Sequence, residues 1–179
     1  MRKVQALGLC VVMALVVAGA GCRRGGEDRL RQGDRMVTAI ISDPKTFNPL
    51  ISVDSASSEA LEEIFDGLVR MNPKTTLIEP QLAKSWEHDE AGTTWTFRLR
   101  DDVTWHDGAP FTADDVAFTF QAIFDPKVPN SSKHVLTVAG KPIRAEVVDP
   151  HTVKLILAEP FAPLLNSIAF GILPKHILG

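Results

Sequence analysis

From Thr94 to Arg100 the chain alternates strictly: Trp95, Phe97 and Leu99 are apolar, and Thr94, Thr96, Arg98 and Arg100 between them are polar. A period of two over that length predicts a strand with one buried face. Asp89-Glu90-Ala91-Gly92 just before it predicts a turn, so Ala83–Glu87 is expected to return as its hairpin partner. His106-Asp107-Gly108 predicts a second turn. Thr112 with Asp115 three residues on has the form of a capping box and opens a helix expected through about Phe124. Earlier in the chain, Val37, Ala39 and Ile41 predict a short strand over Met36–Ser42, and Pro44 and Pro49 punctuate a loop over Asp43–Val53. Asp54 or Ser55 then caps a helix expected through Asp66, with Gly67 ending it. Ala60, Leu61, Ile64, Phe65 and Leu68 recur at three- and four-residue spacing and give that helix its buried face. Val69–Met71 is extended and Asn72-Pro73 turns it. Asp125–Lys133 is a Pro/Asn/Ser-rich loop. Arg144–Val148 and Thr152–Leu157 are strands about the Asp149-Pro150-His151 turn, with Val153, Leu155 and Leu157 on one face. Phe161–Ala169 is a short apolar helix, and Pro174 is placed to be the first residue of another. Helices mixed with hairpins give an α/β class whose strands are largely antiparallel.

The front of the chain has a different character. Arg2 and Lys3 precede an uncharged run, Val4–Ala20, and then Gly21-Cys22. A basic start, a short apolar core and small residues before a cysteine predict a secretory signal peptide over residues 1–21. Ala18-Gly19-Ala20-Gly21-Cys22 resembles a bacterial lipobox, with Gly19 where an aliphatic residue is usual; the resemblance implies acylation of Cys22. The alternative is an ordinary signal peptide cut near Ala20 with Cys22 as a free thiol. Cys10 lies inside the apolar run and leaves with it, so the mature chain is expected to hold no disulfide and no thiolate metal site. Residues 22–35 lack apolar periodicity and carry five arginines and three acids after Cys22, which predicts a solvated tether.

The 179-residue chain has formal charge −3, and Arg2 and Lys3 are the charges that precede Cys22, leaving −5 beyond the signal. A mildly acidic chain with no basic stripe is a poor nucleic-acid binder. No run after the signal is long enough to cross a bilayer.

Catalytic chemistry is thinly represented. His106-Asp107 invites a general-base reading, but no Gly-x-Ser-x-Gly and no catalytic cysteine accompanies it, and a turn explains it better. His88, His134, His151 and His176 make no His-x-x-x-His or His-Glu-x-x-His spacing, so no metal site and no cofactor is expected. Asp101-Asp102 and Asp114-Asp115 are adjacent acids, and the second pair suits helix capping and the helix dipole. Trp86, Trp95 and Trp105 read as core aromatics, with a ligand platform as the alternative for one of them.

The block Pro80-Gln-Leu-Ala-Lys-Ser-Trp, Thr94–Arg100, Val103-Thr-Trp-His-Asp-Gly108 and Pro110–Val116 resembles the signature region of the family 5 solute-binding proteins of bacterial ABC importers. Ser42–Pro49, Ile64–Leu68, Asp149–Val153 and Ile172–Leu178 resemble further segments in family order. The resemblance implies the first lobe of a two-lobed clamp of the periplasmic-binding-protein type (type II), here incomplete. It places the start of the lobe core at residues 36–65, an accessory subdomain at 66–173 and the return to the core at 174–179. Family members are several hundred residues longer, so an N-terminal fragment or truncated gene product is expected, with the second lobe and its charged anchors lying elsewhere. The resemblance also implies a monomeric, lipid-anchored binding protein at the cell-envelope exterior or periplasm. It would deliver peptides to permease and ATPase subunits and would not be an enzyme. Nickel complexes, sugars or opines are alternative cargoes, and a ligand-sensing receptor subunit is an alternative role. The segment that relatives turn toward ligand corresponds to Ser52–Ser57. Val53, Asp54, Ser55, Ala56 and Ser57 are therefore the candidate binding residues. A helix N-terminus there suits a carboxylate, Asp54 suits an amine, and plain capping by Asp54 or Ser55 remains the alternative.

Overall fold

The computed structural model describes residues 38–130 and 132–179. Its sheet is built around the strand that the alternation predicts. β1 (Val69–Met71) pairs antiparallel with β2 (Ile78–Pro80). β3 (Ala83–His88) and β4 (Thr94–Leu99) form the expected hairpin, closed by a turn in which Gly92 has φ +68. β5 (Thr137–Val138) and β6 (Lys141–Pro142) form a small hairpin, and β7 (Arg144–Asp149) pairs with β8 (Thr152–Ile156). The order β3-β4-β8-β7 makes one four-stranded antiparallel sheet, in which Phe97 lies opposite Val153 and Trp95 opposite Leu155. The helices are α1 (Ser55–Glu62), α2 (Ala113–Phe124), α3 (Leu164–Ser167) and α4 (Lys175–Leu178).

α2 starts where the capping box predicts: the Thr112 N–H donates to Asp115 Oδ2 at 2.9 Å. It lies against β7 and β8 and buries Val116, Ala117, Phe120 and Ile123. Val116, Phe120 and Ile123 join Phe97, Leu99, Val153, Leu155 and Leu164 in one apolar cluster. Each such large side chain taken out of water contributes about 1.5–3 kcal/mol.

Several expectations are corrected. Thr38–Ser42, the described part of the predicted first strand, is not a strand: none of the described strands runs beside it and Ile41 is 90% exposed. α1 ends at Glu62, not Asp66: the Ile64 N–H reaches the Leu61 carbonyl only three residues back, which tightens the last turn. Ile64, expected on the buried face, is exposed as a result. The apolar segment after Pro160 is helical only over Leu164–Ser167, since Pro163 has no N–H to continue an earlier turn. Pro174 stands at the cap position of α4, one residue before the first helical place.

Gly67 does not end a helix. It forms an antiparallel bridge with Gly171. A Cβ on Gly67 would lie 2.9 Å from the Phe170 carbonyl oxygen, and one on Gly171 would lie 2.5 Å from Phe65 Cβ. Only glycine lets the two backbones cross that closely. The outgoing crossing is then fastened to the incoming segment at Asp66 and to α2. The Ile172 N–H donates to the Asp66 carbonyl at 2.9 Å, Leu173 N–H to Thr119 Oγ1 at 2.9 Å and Lys175 N–H to Asp115 Oδ1 at 2.9 Å.

A candidate ligand loop before the first helix

The loop ahead of α1 is held by one serine. The Ser57 hydroxyl donates to Asp54 Oδ2 at 2.8 Å and accepts the Lys45 and Thr46 N–H groups at 2.9 and 3.2 Å. Asp54 is the N-cap and takes the Ser57 N–H on Oδ1 at 3.0 Å. The Ser57 N–H and then its hydroxyl hold the Asp54 carboxylate below its ordinary value of 3.8, with Lys45 adding a smaller pull and burial opposing. Asn48 folds the loop tip locally, accepting from the Leu50 N–H at 2.9 Å. Leu50 is buried and anchors the loop in the core, whereas Val53 is 82% exposed.

The five candidate residues therefore divide. Ala56 and Ser57 are buried, Asp54 is partly buried, and Val53 and Ser55 are exposed. Both Asp54 oxygens already accept hydrogen bonds from Ser57. A carboxylate thus already caps the N-terminus of α1, which weakens that helix end as a site for a second anion. Val53 and Ser55 are the exposed members of the five. Neither of two cavities elsewhere, of about 70 and 310 Å³, is lined by residues 53–57. Cys22, the predicted lipidation site, lies outside the described residues, as do the signal segment 1–21 and the tether 22–35.

The other candidates fall into structural roles. Asp107 closes its turn by accepting the Ala109 N–H at 3.0 Å, and Gly108 takes φ +89 there. The other Asp107 oxygen meets His176 Nε2 at 2.7 Å, not the neighbouring His106. That contact first, and the Ala109 N–H second, hold the Asp107 carboxyl below 3.8. Asp115 takes the Thr112 N–H and the Trp105 Nε1–H, and Asp114 takes Lys175 Nζ at 2.8 Å. Trp86, Trp95 and Trp105 are each partly buried against the core. Among the described residues no group of three or more His, Cys, Asp or Glu is arranged to hold a metal ion. None of the described helices is long and apolar enough to cross a membrane.

Ser57 as the loop's anchor and His176 as the partner of Asp107 are absent from the sequence reading. They join positions 11 to 69 residues apart, where no local pattern signals a contact.

The sequence pattern of the bacterial extracellular solute-binding proteins, family 5 (its middle segment), matches residues 78–177. The chain belongs to this family, whose members are transport binding proteins and not enzymes. It is 32% identical over 178 residues to the dipeptide-binding protein of Escherichia coli strain K12, covering 91% of this chain and 31% of that protein. It is 35% identical over 107 residues to the nickel-binding periplasmic protein of the same strain, covering 59% of this chain and 20% of that one. Among solved structures, the ABC transporter substrate-binding protein CtaP from Listeria monocytogenes matches with a TM-score of 0.71 and 34% identity, over 78% of this chain and 28% of that chain. The chain thus spans less than a third of the length of these relatives.

Proposed function

We propose that this chain is the ligand-gathering wall of a peptide-binding lipoprotein that serves an ABC importer. The observation that carries the reading is the family match over residues 78–177, joined to 32% identity with a relative named for dipeptides. In this reading residues 1–21 are the export signal, Cys22 carries the lipid and residues 22–35 are the tether. Residues 36–65 and 174–179 belong to the lobe core, and 66–173 to an accessory subdomain. The Gly67–Gly171 bridge supports that division, because it brings the two ends of the long middle segment together at one crossing. A second lobe supplied by further polypeptide would face Val53 and Ser55 across the ligand. Closure follows from the ligand binding the closed form more tightly than the open one. In this reading an extended peptide lies along the exposed Val53 and is recognised by main-chain hydrogen bonds, with little side-chain selectivity. In the periplasm or at the cell-envelope exterior the closed monomer then docks on a permease, and ATP is hydrolysed by a different subunit.

A nickel complex is the second reading, and it rests on the 35% identity to the nickel-binding relative. The two separate in one experiment. The full-length protein is purified without denaturation, unfolded, and its released small molecules are identified by mass spectrometry. Intact short peptides are expected. Nickel in stoichiometric amount without peptide moves the assignment to the second reading.

A further inference from the structure

We propose that Ser57 is a positioning residue that sets the candidate ligand loop, holding residues 45–53 against the first turn of α1 so that Val53 and Ser55 face ligand in one conformation. The inference rests on the reading above that these two residues meet ligand. Ser57 itself is fully buried, so it acts through the loop and not by touching ligand.

Three observations point to it. First, a serine hydroxyl has one proton to give and two lone pairs to fill. Ser57 uses all three, giving its proton to Asp54 and accepting the Lys45 and Thr46 N–H groups. A hydroxyl that served only to cap a helix would need one of these bonds. Second, among the described residues the other hydrogen bonds of the loop are local, save an exposed 3.4 Å contact between the Ser52 and Ser58 hydroxyls. Asn48 N–H donates to Thr46 Oγ1, Leu50 N–H to Asn48 Oδ1 and Ile51 N–H to the Asn48 carbonyl. They shape the tip but do not attach it; the long, exposed Ser52–Ser58 contact ties only the loop's end to α1, so attachment of residues 45–51 falls to Ser57 and to the apolar anchor Leu50. Third, the segment so held presents apolar groups outward: Phe47 and Val53 are 61% and 82% exposed. A loop free to move would fold such side chains against the protein. A fixed one keeps them outside, at the ordering cost that a binding surface otherwise meets when ligand arrives.

Asp54 completes the arrangement. Its two oxygens hold the Ser57 N–H and O–H and so fix which way the hydroxyl's lone pairs point. Loss of the Ser57 oxygen leaves the Lys45 and Thr46 N–H groups without an acceptor and Asp54 Oδ2 without a donor.

The test is hydrogen exchange and calorimetry on the full-length protein, wild type against Ser57→Ala, with Ser57→Thr as the hydroxyl-restoring control. Exchange at the Lys45 and Thr46 amides should rise at least tenfold in Ser57→Ala while the β4 amides keep their protection. The affinity for trialanine should weaken at least tenfold, and Ser57→Thr should restore both. Unchanged exchange at those two amides overturns the proposal. Faster exchange with unchanged trialanine affinity overturns its ligand half and leaves Ser57 a structural tie. If Ser57→Ala does not fold, Asp54→Asn replaces it. That variant keeps an oxygen for the Ser57 N–H but cannot accept its hydroxyl proton, and should raise exchange at the same two amides; no rise overturns the proposal. If the wild type takes up no trialanine, the peptide reading fails, and the exchange result alone decides whether Ser57 holds the loop.

Discussion

Single side chains in this protein fasten backbone more than they offer chemistry. Thr119 is the clearest case. It is fully buried, donates to the Asp115 carbonyl at 2.7 Å and accepts the Leu173 N–H at 2.9 Å. Thr119→Val keeps the shape and strands that buried N–H, so stability should fall by about 1–3 kcal/mol, read from urea unfolding. A change below about 0.5 kcal/mol would place Thr119 outside the crossing's support. The carboxylates behave alike. Asp54, Asp89, Asp102, Asp107 and Asp149 are all held below 3.8, chiefly by the Ser57 N–H, the Thr94 N–H, the Arg100 side chain, His176 and the His151 N–H respectively. A carboxyl whose folded value is depressed lends stability that is complete above its unfolded value and is lost as pH falls through the folded one. The urea midpoint should therefore hold steady on acidification to about pH 4 and drop below it. A midpoint that rises between pH 4 and pH 2 contradicts these contacts.

At the scale of elements, what was legible in the sequence was local. Trp95, Phe97 and Leu99 announce β4 because a strand repeats every two residues, and Asp89–Gly92 announces its hairpin. Thr112 and Asp115 announce α2 three residues apart. β7 and β8 follow from the turn at Asp149-Pro150-His151. The misses have non-local causes. β5 and β6 are two residues each, too short for any period to register, and their turn places Ala139 at φ 50 beside Gly140 at φ 74. Gly67 reads as a helix end by position, yet its role is set by Gly171, more than a hundred residues on. Of the candidate site, the N-cap at Asp54 was readable, and the tie from Ser57 to Lys45 and Thr46 was not. The glycine crossing makes a prediction of its own. Gly171→Ala drives a methyl into Phe65 Cβ at 2.5 Å, and overpacking of this kind costs about 1–3 kcal/mol. A melting temperature within a degree of wild type would show that the crossing has slack. Removing the side chain at the sheet's centre costs more. Phe97→Ala should lose about 3–5 kcal/mol, since Phe97 is fully buried opposite Val153.

For the whole molecule, the described residues form a sheet-and-helix unit with its own core, and the candidate loop lies at its surface. One exposed wall does not enclose a ligand, and small-molecule sites bury most of their ligand's surface. In the proposed clamp, affinity comes from two walls closing on the peptide, and lipid at Cys22 keeps the protein near its permease. Acylation predicts a defined test: mass spectrometry of a detergent extract should find Cys22 as the modified N-terminal residue, and an unmodified Cys22 would remove the anchor from the scheme. The two-walled character is tested most directly by titrating residues 23–179 with trialanine in a calorimeter. No saturable heat is expected at peptide concentrations up to about 1 mM. Stoichiometric binding in the micromolar range would mean that this segment encloses its ligand unaided, and the clamp reading would be wrong.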